Sequence, residues 1–339
     1  MKFFQTLRAR LAGAPLVSVV VASYNHAPFV AEALQSALDQ GIDALEILVT
    51  DDGSSDGTAA AVAAFAAAHP TRRIELNAFA QNRGACIAMN DAIARARGRY
   101  IAVLNSDDRF LPGKLRRQLD FLAAHPGVGA VFGQPCFIDE QGRPFEDPAH
   151  KDHAVFNAGN RSRHAWLRHF FDHGNALCHP TALIRRAVYR RVGLYDARLA
   201  QVPDLDLWIR VCMHFDIHVM PEALTAFRIR DSQQNASAAR PEVVVRDAWE
   251  RAVILRHYLQ LPESGLLQVF PELRDQPGSV VERLARHALA LPYPFHHRFA
   301  LDAWHGSLPA ACPPGDADPQ AWRRFIAASG ATDLHRIHH

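Results

Sequence analysis

The stretch Ile101-Ala102-Val103-Leu104-Asn105-Ser106-Asp107-Asp108-Arg109-Phe110-Leu111-Pro112 decides the fold of this 339-residue chain. Its first four residues are apolar, as in a buried strand, and the run stops at Asn105 before two adjacent carboxylates. After Pro112, leucines recur at helical spacing. Open α/β sheets bind ligands beyond the C-terminal ends of buried strands, where a hard divalent cation would neutralise two neighbouring acids. A solvated turn that caps the following helix is the alternative interpretation.

Two earlier strands end in the same way. An apolar run over residues 17–23 leads into Tyr24-Asn25, and a second run over residues 45–50 leads into Asp51-Asp52. Helical patterns separate the strands, so the first 130 residues are predicted to form a doubly wound α/β unit with a mostly parallel sheet. All three strand ends then open on one edge of the sheet. Amides and carboxylates at that edge suit a nucleobase and a ribose, and a metal-bound carboxylate suits a diphosphate.

The later part of the chain has a less regular pattern. Residues 182–192 are predicted to form a helix, and another helix is predicted to start at Pro203. Residues 217–220 and 224–229 are predicted to form two short strands, and helical periods follow from residue 241 onward. The predicted organisation is an N-terminal amphipathic segment, an α/β domain and a C-terminal helical extension, with the bounds 1–14, 15–235 and 236–339.

Composition argues against several classes of protein. A net charge of +2 gives no support to nucleic-acid binding. The five cysteines are dispersed without a CxxC pair, which favours a reducing, cytoplasmic compartment over a disulfide framework or a zinc site. The chain has neither G-x-G-x-x-G after the first strand nor a Walker loop, and no apolar run approaches the ~20 residues that span a bilayer. For residues 1–14, an interfacial helix at the inner membrane surface and a frayed terminus are both open.

Several motifs, in order along the chain, resemble those of family-2 glycosyltransferases. The runs at 17–25 and 46–58 are similar to the opening motifs of that family, and residues 82–108 are similar to the segment that ends in its DxD signature. Three further matches are His179-Pro180-Thr181, Gly193-Leu194-Tyr195-Asp196 and Asp204-Leu205-Asp206-Leu207-Trp208-Ile209-Arg210. The likeness covers roughly residues 15–235, and several ordered motifs are a much stronger signal than one. It implies the GT-A fold of nucleotide-diphospho-sugar transferases, a divalent metal and inversion at the anomeric carbon.

The resemblance also implies roles for individual residues of the donor site. Asp52 is expected to contact the nucleobase, and Asp107, with Asp108, is expected to hold Mn²⁺ or Mg²⁺. Asn105 stands at the first position of the DxD, where Asp is common, so it can bond a ribose but adds no charge for the metal. The expected nucleotide-binding residues are Ser23, Tyr24, Asn25, Asp52, Arg83, Asn105 and Ser106.

On the acceptor side, the resemblance implies that Asp204 is the catalytic base. Pro203 replaces the Glu that usually precedes this residue. The segment Arg228-Ile229-Arg230-Asp231 has arginines where the family often has a histidine. A helix-start Asp stabilised by the helix dipole is the alternative for Asp204, and Asp206 in the same turn is the next candidate base.

The implied function is that of a metal-dependent glycosyltransferase of the hexosyltransferase type. A nucleotide-sugar donor, expected to be a UDP-sugar, would pass its sugar to a glycan or lipid-linked acceptor during synthesis of a cell-surface polysaccharide. Two alternatives stay open: a nucleotidyltransferase that makes sugar nucleotides, and a non-catalytic binding protein that keeps the GT-A fold. A nucleotidyltransferase is expected to have a Gly-rich loop with Arg or Lys after the first strand, and Ser23-Tyr24-Asn25-His26 is not such a loop.

Overall fold

The structure, a computed structural model, describes residues 16–147, 155–156, 158–230, 241–308 and 319–328. The predicted N-terminal amphipathic segment, residues 1–14, lies outside these ranges. Within them, no helix combines the length and the apolar character that crossing a bilayer requires.

The chain divides into two compact units. The first contains Met1–Trp166 and Gly174–Ala238, and the second contains Leu167–His173 and Ala239–His339. All strands in the described part of the chain belong to the first unit and form one sheet. They are β1 (Val17–Ser23), β2 (Leu45–Asp51), β3 (Arg73–Ala78), β4 (Tyr100–Val103), β5 (Arg109–Phe110), β6 (Val128–Ile138), β7 (Leu183–Arg185) and β8 (Asp216–Arg228).

The strands follow the order β3-β2-β1-β4-β7-β6-β8-β5 across the sheet. β3, β2, β1 and β4 are parallel to one another, β7 is antiparallel to both β4 and β6, and β8 is parallel to β6. From β1 the chain moves outward to β2 and β3 and then returns to the other side of β1 with β4. The reversal between β1 and β4 is the topological switch point, where sheets of this kind bind ligands.

The central strands are buried on both faces. Every residue of β2 and β4 is buried, as are all but one of β1, because helices cover both sides of the sheet. The helices that begin in the first unit are α1 (Val30–Leu38), α2 (Thr58–Ala68), α3 (Ala85–Arg95), α4 (Lys114–Ala124), α5 (Arg163–Asp172), α6 (Arg186–Val192) and α7 (Pro203–Cys212).

Two predictions about local structure were wrong. The predicted helix over residues 182–192 contains β7 at its start, because Leu183 and Ile184 are buried between β4 and β6 and pair with both. The two predicted short strands are a single strand, β8. Its register against β6 skips from Val219 to Ala223, so the residues between them bulge out and interrupt the apolar pattern without ending the strand.

The second unit has its own aromatic core. Phe171 makes edge-to-face contacts with Tyr258, Phe270 and Phe299, at ring-centroid distances of 4.9, 5.0 and 5.6 Å. The buried Tyr258 hydroxyl donates to the backbone oxygen of Leu167 at 2.6 Å. The predicted helical character of the C-terminal region is confirmed by α8 (Pro241–Ile254), α9 (Glu263–Val269), α10 (Val280–Leu289), α11 (Pro294–Ser307) and α12 (Pro319–Ala328).

A lysine is buried in the first unit, at the start of α4. The Lys114 ammonium donates to Gln118 Oε1 at 2.9 Å and lies 4.3 Å from the centre of the Phe110 ring. Burial lowers the pKa of Lys114 from 10.5 to about 7, because the charged form is poorly solvated. The native state therefore binds fewer protons than the unfolded chain between these two values, so stability should rise with pH across that window.

Replacement of this lysine should remove that pH dependence. Lys114→Met keeps the side-chain length but has no amine, so its melting temperature should exceed that of the wild type most at pH 6 and least near pH 10. The Lys114→Met/Gln118→Leu double variant controls for the unpaired carboxamide oxygen. Thermal unfolding from pH 6 to pH 10 makes the comparison, and a difference that does not change with pH would show that the buried amine does not titrate as described.

Candidate active site

The predicted ligand-binding edge of the sheet is present. β1 and β2 are in register up to the pair Ser23 and Asp51, and the backbone N–H of Leu104 donates to Val20 O, which aligns β4 with β1. The residues that follow β1, β2 and β4 therefore lie at one edge, at the switch point of the sheet. The structure thus brings together the sequence-predicted residues Ser23, Tyr24, Asn25, Asp52, Asn105, Ser106, Asp107 and Asp108.

Asp51 shapes the loop after β2. Its buried carboxylate accepts hydrogen bonds from Ser23 Oγ at 3.1 Å, from Ser54 Oγ at 2.6 Å and from Ser54 N at 2.9 Å. Asn25, with a φ of 52°, joins the same loop: its N–H donates to Ser54 Oγ, and its Oδ1 accepts from Ser55 N. Asn tolerates this left-handed conformation better than most residues. Tyr24 is left 47 % exposed beside the loop.

Asp52 is held by the start of α3. Its Oδ1 accepts from the N–H of Arg83 at 2.7 Å and its Oδ2 from the N–H of Gly84 at 2.9 Å. Gly53 has a φ of 73°, and a Cβ there would lie 2.5 Å from the backbone of Gln81, so only glycine allows the two segments to approach. The Arg83 side chain is exposed, with its guanidinium 4.8 Å from the Phe79 ring centre. Each oxygen of Asp52 keeps a lone pair for a further donor.

In the turn after β4, the Asp108 carboxylate points into the protein. Asp108 Oδ2 accepts from Asn105 Nδ2 at 2.8 Å, and its Oδ1 accepts from the backbone N–H of Arg228 at 2.8 Å. Burial, with the charge of Asp107 as a second cause, raises the pKa of Asp108 well above its ordinary value. The Asp107 carboxylate is the more accessible of the pair, at 14 % exposure.

Arg228, at the end of β8, fixes the backbone of this turn. Its Nε donates to Asp107 O at 2.7 Å, and its Nη1 donates to the carbonyl oxygens of Asp139 and Glu140 at 2.9 Å each. Its Nη2 pairs with Glu32 at 2.6 Å. Because this guanidinium is almost completely buried, its charge and its hydrogen bonds together lock the position from which Asp107 projects.

His26 connects this turn to the residue two places after β8. Arginine has only donors, so His26 Nε2 must accept from Arg230 Nη1 at 2.8 Å, and the ring proton lies on Nδ1, which donates to Ser106 Oγ at 2.7 Å. The Ser106 hydroxyl can then donate to Ala22 O at 3.3 Å. Burial lowers the pKa of His26, in agreement with a neutral ring. The 3.7 Å contact between His26 Nε2 and Asp107 Oδ2 is therefore no ion pair.

The residues at this edge fit one kind of metal site. Among the residues that the structure describes, no group of three or more His, Cys, Asp or Glu side chains could hold a metal alone. Mg²⁺ is commonly bound through one or two carboxylates together with the phosphates of a substrate. The Asp107 carboxylate suits that arrangement, whereas both oxygens of Asp108 already bond to protein donors.

Asp204 lies in the first turn of α7, after Pro203. Its Oδ2 accepts from Asn175 Nδ2 at 2.6 Å, and its Oδ1 accepts from the N–H of Leu205 at 2.8 Å. Both a helix-start role and a positioned base are compatible with these contacts. Asp206 differs, because it is buried and pairs through Oδ2 with Arg210 Nη2 at 2.5 Å. That ion pair leaves Asp206 poorly suited to accept a proton from a substrate.

Buried polar residues support the Asp204 side of the unit. Tyr195 is held through its backbone by the Asn90 carboxamide on α3, at 2.8 and 3.0 Å. Burial lowers the pKa of His179 to about 4 and raises that of Tyr195, so the Tyr195 hydroxyl donates to a neutral His179 Nε2 at 2.7 Å. His179 is thus a half-buried histidine whose Nε2 has a hydrogen-bond partner inside the unit.

Sequence reasoning missed several residues that shape these sites. His26 and Arg230 meet in space but are far apart in the sequence, and so are Asn175 and Asp204. The signal available for His26 was its position directly after Tyr24-Asn25. The available signal for Arg228 and Arg230 was that two positive charges directly follow a mostly apolar strand.

The sheet and its flanking helices form the GT-A fold, the fold of nucleotide-diphospho-sugar transferases, as predicted. S. aureus TarS, solved in complex with UDP-GlcNAc, has the same fold, with a TM-score of 0.58 and 17 % identity over 86 % of this chain and 80 % of that one. The family follows from the sequence. The chain belongs to glycosyl transferase family 2, whose family model matches residues 18–193.

Relatives of this chain include bacterial glycosyltransferases and a succinoglycan biosynthesis protein. An uncharacterized glycosyltransferase of Rickettsia typhi is 26 % identical over 234 residues, which are 66 % of this chain and 67 % of the relative. The succinoglycan biosynthesis protein ExoO of Rhizobium meliloti is 46 % identical over 106 residues, which are 31 % of this chain and 29 % of ExoO.

Proposed function

We propose that this glycosyltransferase moves a sugar from a nucleoside-diphosphate donor to a hydroxyl of a glycan or lipid-linked acceptor, with inversion at the anomeric carbon. The observation that carries the proposal is that Asp52, after β2, and Asp107, after β4, lie at the same edge of the sheet in a family-2 chain. The name of ExoO, a succinoglycan biosynthesis protein, supports polysaccharide synthesis as the setting. The UDP-GlcNAc complex of TarS, which shares the fold, supports UDP as the first nucleotide to test.

The donor side is assigned as follows. Asp52 accepts the N–H of a base through a free lone pair, while Tyr24 and Arg83 offer exposed surfaces on which the base can stack. The loop of Ser23 and Asn25 sets the shape of this pocket. At the turn after β4, Asn105 is assigned to the ribose. The buried Ser106 hydroxyl bonds to His26 and to the backbone oxygen of Ala22, so it supports this turn from inside.

The diphosphate is assigned to the surroundings of Asp107. Asp107 would hold Mg²⁺ or Mn²⁺ jointly with the phosphates, and Asp108 would keep the turn in place through its two hydrogen bonds. A bound divalent ion would supply Lewis-acid stabilisation of the negative charge that grows on the leaving nucleoside diphosphate.

The proton of the acceptor hydroxyl is assigned to Asp204. The hydrogen bond from Asn175 orients the carboxylate, and its other oxygen accepts a hydrogen bond from the backbone N–H of Leu205. As the hydroxyl attacks the anomeric carbon from the face opposite the leaving group, the carboxylate takes its proton. This attack forms the new glycosidic bond, breaks the bond to the diphosphate and inverts the configuration.

A panel of nucleotide sugars tests the donor assignment. UDP-glucose, UDP-GlcNAc, GDP-mannose and dTDP-glucose are each added to the full chain, with Mn²⁺ or with EDTA, and the melting temperature and the release of nucleoside diphosphate are recorded. One donor should raise the melting temperature in the presence of Mn²⁺ and be slowly hydrolysed. A chain that none of these donors stabilises, with or without metal, would contradict the proposed function.

A further inference from the structure

The position of Arg230 places a cation near the carboxylate proposed for the metal. Its Nη1 and Asp107 Oδ2 both approach the same atom, His26 Nε2, at 2.8 and 3.7 Å. Arg230 also lies 5.6 Å from the centre of the Phe29 ring, close to the ring of His26. The guanidinium is therefore held at the switch-point edge by an acceptor on one side and an aromatic face on the other.

His26 links Arg230 to Ser106 through hydrogen bonds at both of its ring nitrogens. Three hydrogen bonds connect the end of β8 to β1. Arg230 donates to His26, His26 donates to Ser106, and Ser106 donates to the backbone oxygen of Ala22. His26 thus orients the guanidinium as a hydrogen-bond acceptor that adds no negative charge of its own.

The neighbouring Arg228 does a different job. Four of its five N–H donors are used by Asp107 O, Glu32 and the Asp139–Glu140 backbone, and its side chain is 1 % exposed. Arg228 therefore supports the turn and is buried away from a ligand. Arg230 lies at the same edge, and its Nη1 donates to His26, whose imidazole is a weaker acceptor for a guanidinium than a phosphate oxygen is.

We propose that Arg230, positioned by His26, binds the diphosphate of the donor directly and gives this chain a component of nucleotide binding that needs no metal. The inference rests on the proposed function, because it assumes that the diphosphate lies beside Asp107. The site also has fewer carboxylates for a metal than a DxD motif would supply, because Asn105 begins the turn and Asp108 points inward. The positive charge of Arg230 would then neutralise part of the negative charge of the diphosphate. A guanidinium also matches the geometry of phosphate oxygens.

Binding in EDTA isolates the contribution of Arg230. Affinities for UDP and for uridine are measured by calorimetry on the wild type, Arg230→Gln and Arg230→Lys. Without metal, Arg230→Gln should bind UDP roughly 10- to 100-fold more weakly, the loss expected for one or two charge-assisted hydrogen bonds. Arg230→Lys should fall between the two, because it keeps the charge but loses the fork. Uridine binding should be the same in all three proteins, since uridine has no phosphate.

Arg117→Gln is the matched control. It removes the same charge from the exposed face of α4, so UDP affinity in EDTA should stay within about twofold of wild type. Melting temperatures of the unliganded variants show whether each still folds. If Arg230→Gln folds and binds UDP in EDTA as tightly as the wild type, Arg230 is only a structural partner of His26 and the proposal is wrong.

The two proposals fail in distinguishable ways. A wild type that binds UDP only with Mn²⁺ keeps the proposed function and overturns the metal-independent role of Arg230. A wild type that binds no UDP under either condition overturns UDP as the donor nucleotide. The same variants are then compared with inorganic pyrophosphate, which has the diphosphate without a base, and equal affinities there would overturn the role of Arg230.

Discussion

Asp204→Asn should lower sugar transfer by about 10²- to 10⁴-fold, the loss typical of a positioned general base. The variant keeps the size of the side chain, and an asparagine oxygen can still accept the N–H of Leu205. Donor affinity should survive, because Asp52 and Asp107 lie at the ends of other elements. Transfer rate and donor affinity are measured on the same preparation, once an acceptor has been found or with water as the acceptor.

Asp206→Asn is the matched control for this variant, on the same turn of α7. Asp206 is buried in an ion pair with Arg210, so its loss should reduce stability and leave the rate of the remaining folded enzyme close to wild type. A capping role for Asp204 predicts near-full activity in Asp204→Asn and a loss of stability of about 1 kcal/mol or less. Transfer within a few-fold of wild type would remove Asp204 from the mechanism.

Asp107→Ala should abolish the stabilisation that UDP gives in the presence of Mn²⁺. With UDP at 100 times its dissociation constant, the wild type should gain about 2.7 kcal/mol, and the variant should keep only the part that is seen in EDTA. The turn itself should survive, because Arg228 bonds to the backbone of Asp107 and to the side chain of Asp108, not to the Asp107 carboxylate. Thermal unfolding with and without UDP and Mn²⁺ measures the effect.

Asp120→Ala, an exposed residue of α4, is the control for a lost carboxylate and should respond to UDP as the wild type does. If Asp107→Ala is stabilised by UDP and Mn²⁺ as strongly as the wild type, the assignment of the metal to this strand end is wrong. If the unliganded variant also unfolds at a much lower temperature, the carboxylate supports the turn and the effect on binding must be measured by calorimetry at low temperature.

The strand-end part of the site was predictable because its signals are local. β1, β2 and β4 are short apolar runs that stop at polar residues. Such runs are typical of parallel strands buried on both faces. Once they are parallel neighbours, their carboxyl ends must meet. Asp52 and Asp107 were therefore found from the pattern before any contact was known, although their binding roles stay predictions.

The contacts between distant segments were not predictable from local pattern. Arg230 and His26 are brought together by the pairing of β8 with β6 and β5 at the far side of the sheet. The sequence of β8 predicts two short strands, because Pro221 and Glu222, at the bulge, are typical turn residues. At 183–185, burial in the sheet outweighed a pattern that reads as helix, as tertiary contacts often do.

The anomeric configuration of the first product tests the central claim most directly. The full chain is mixed with the α-configured UDP-sugar that stabilises it best, without acceptor, and the released sugar is followed by proton NMR before mutarotation is complete. Direct attack by water assisted by Asp204 predicts that the β anomer appears first, together with UDP, and that Asp204→Asn releases both about 10²- to 10⁴-fold more slowly. Initial release of the α anomer, or the absence of hydrolysis from every donor that binds, would contradict an inverting transferase at this site.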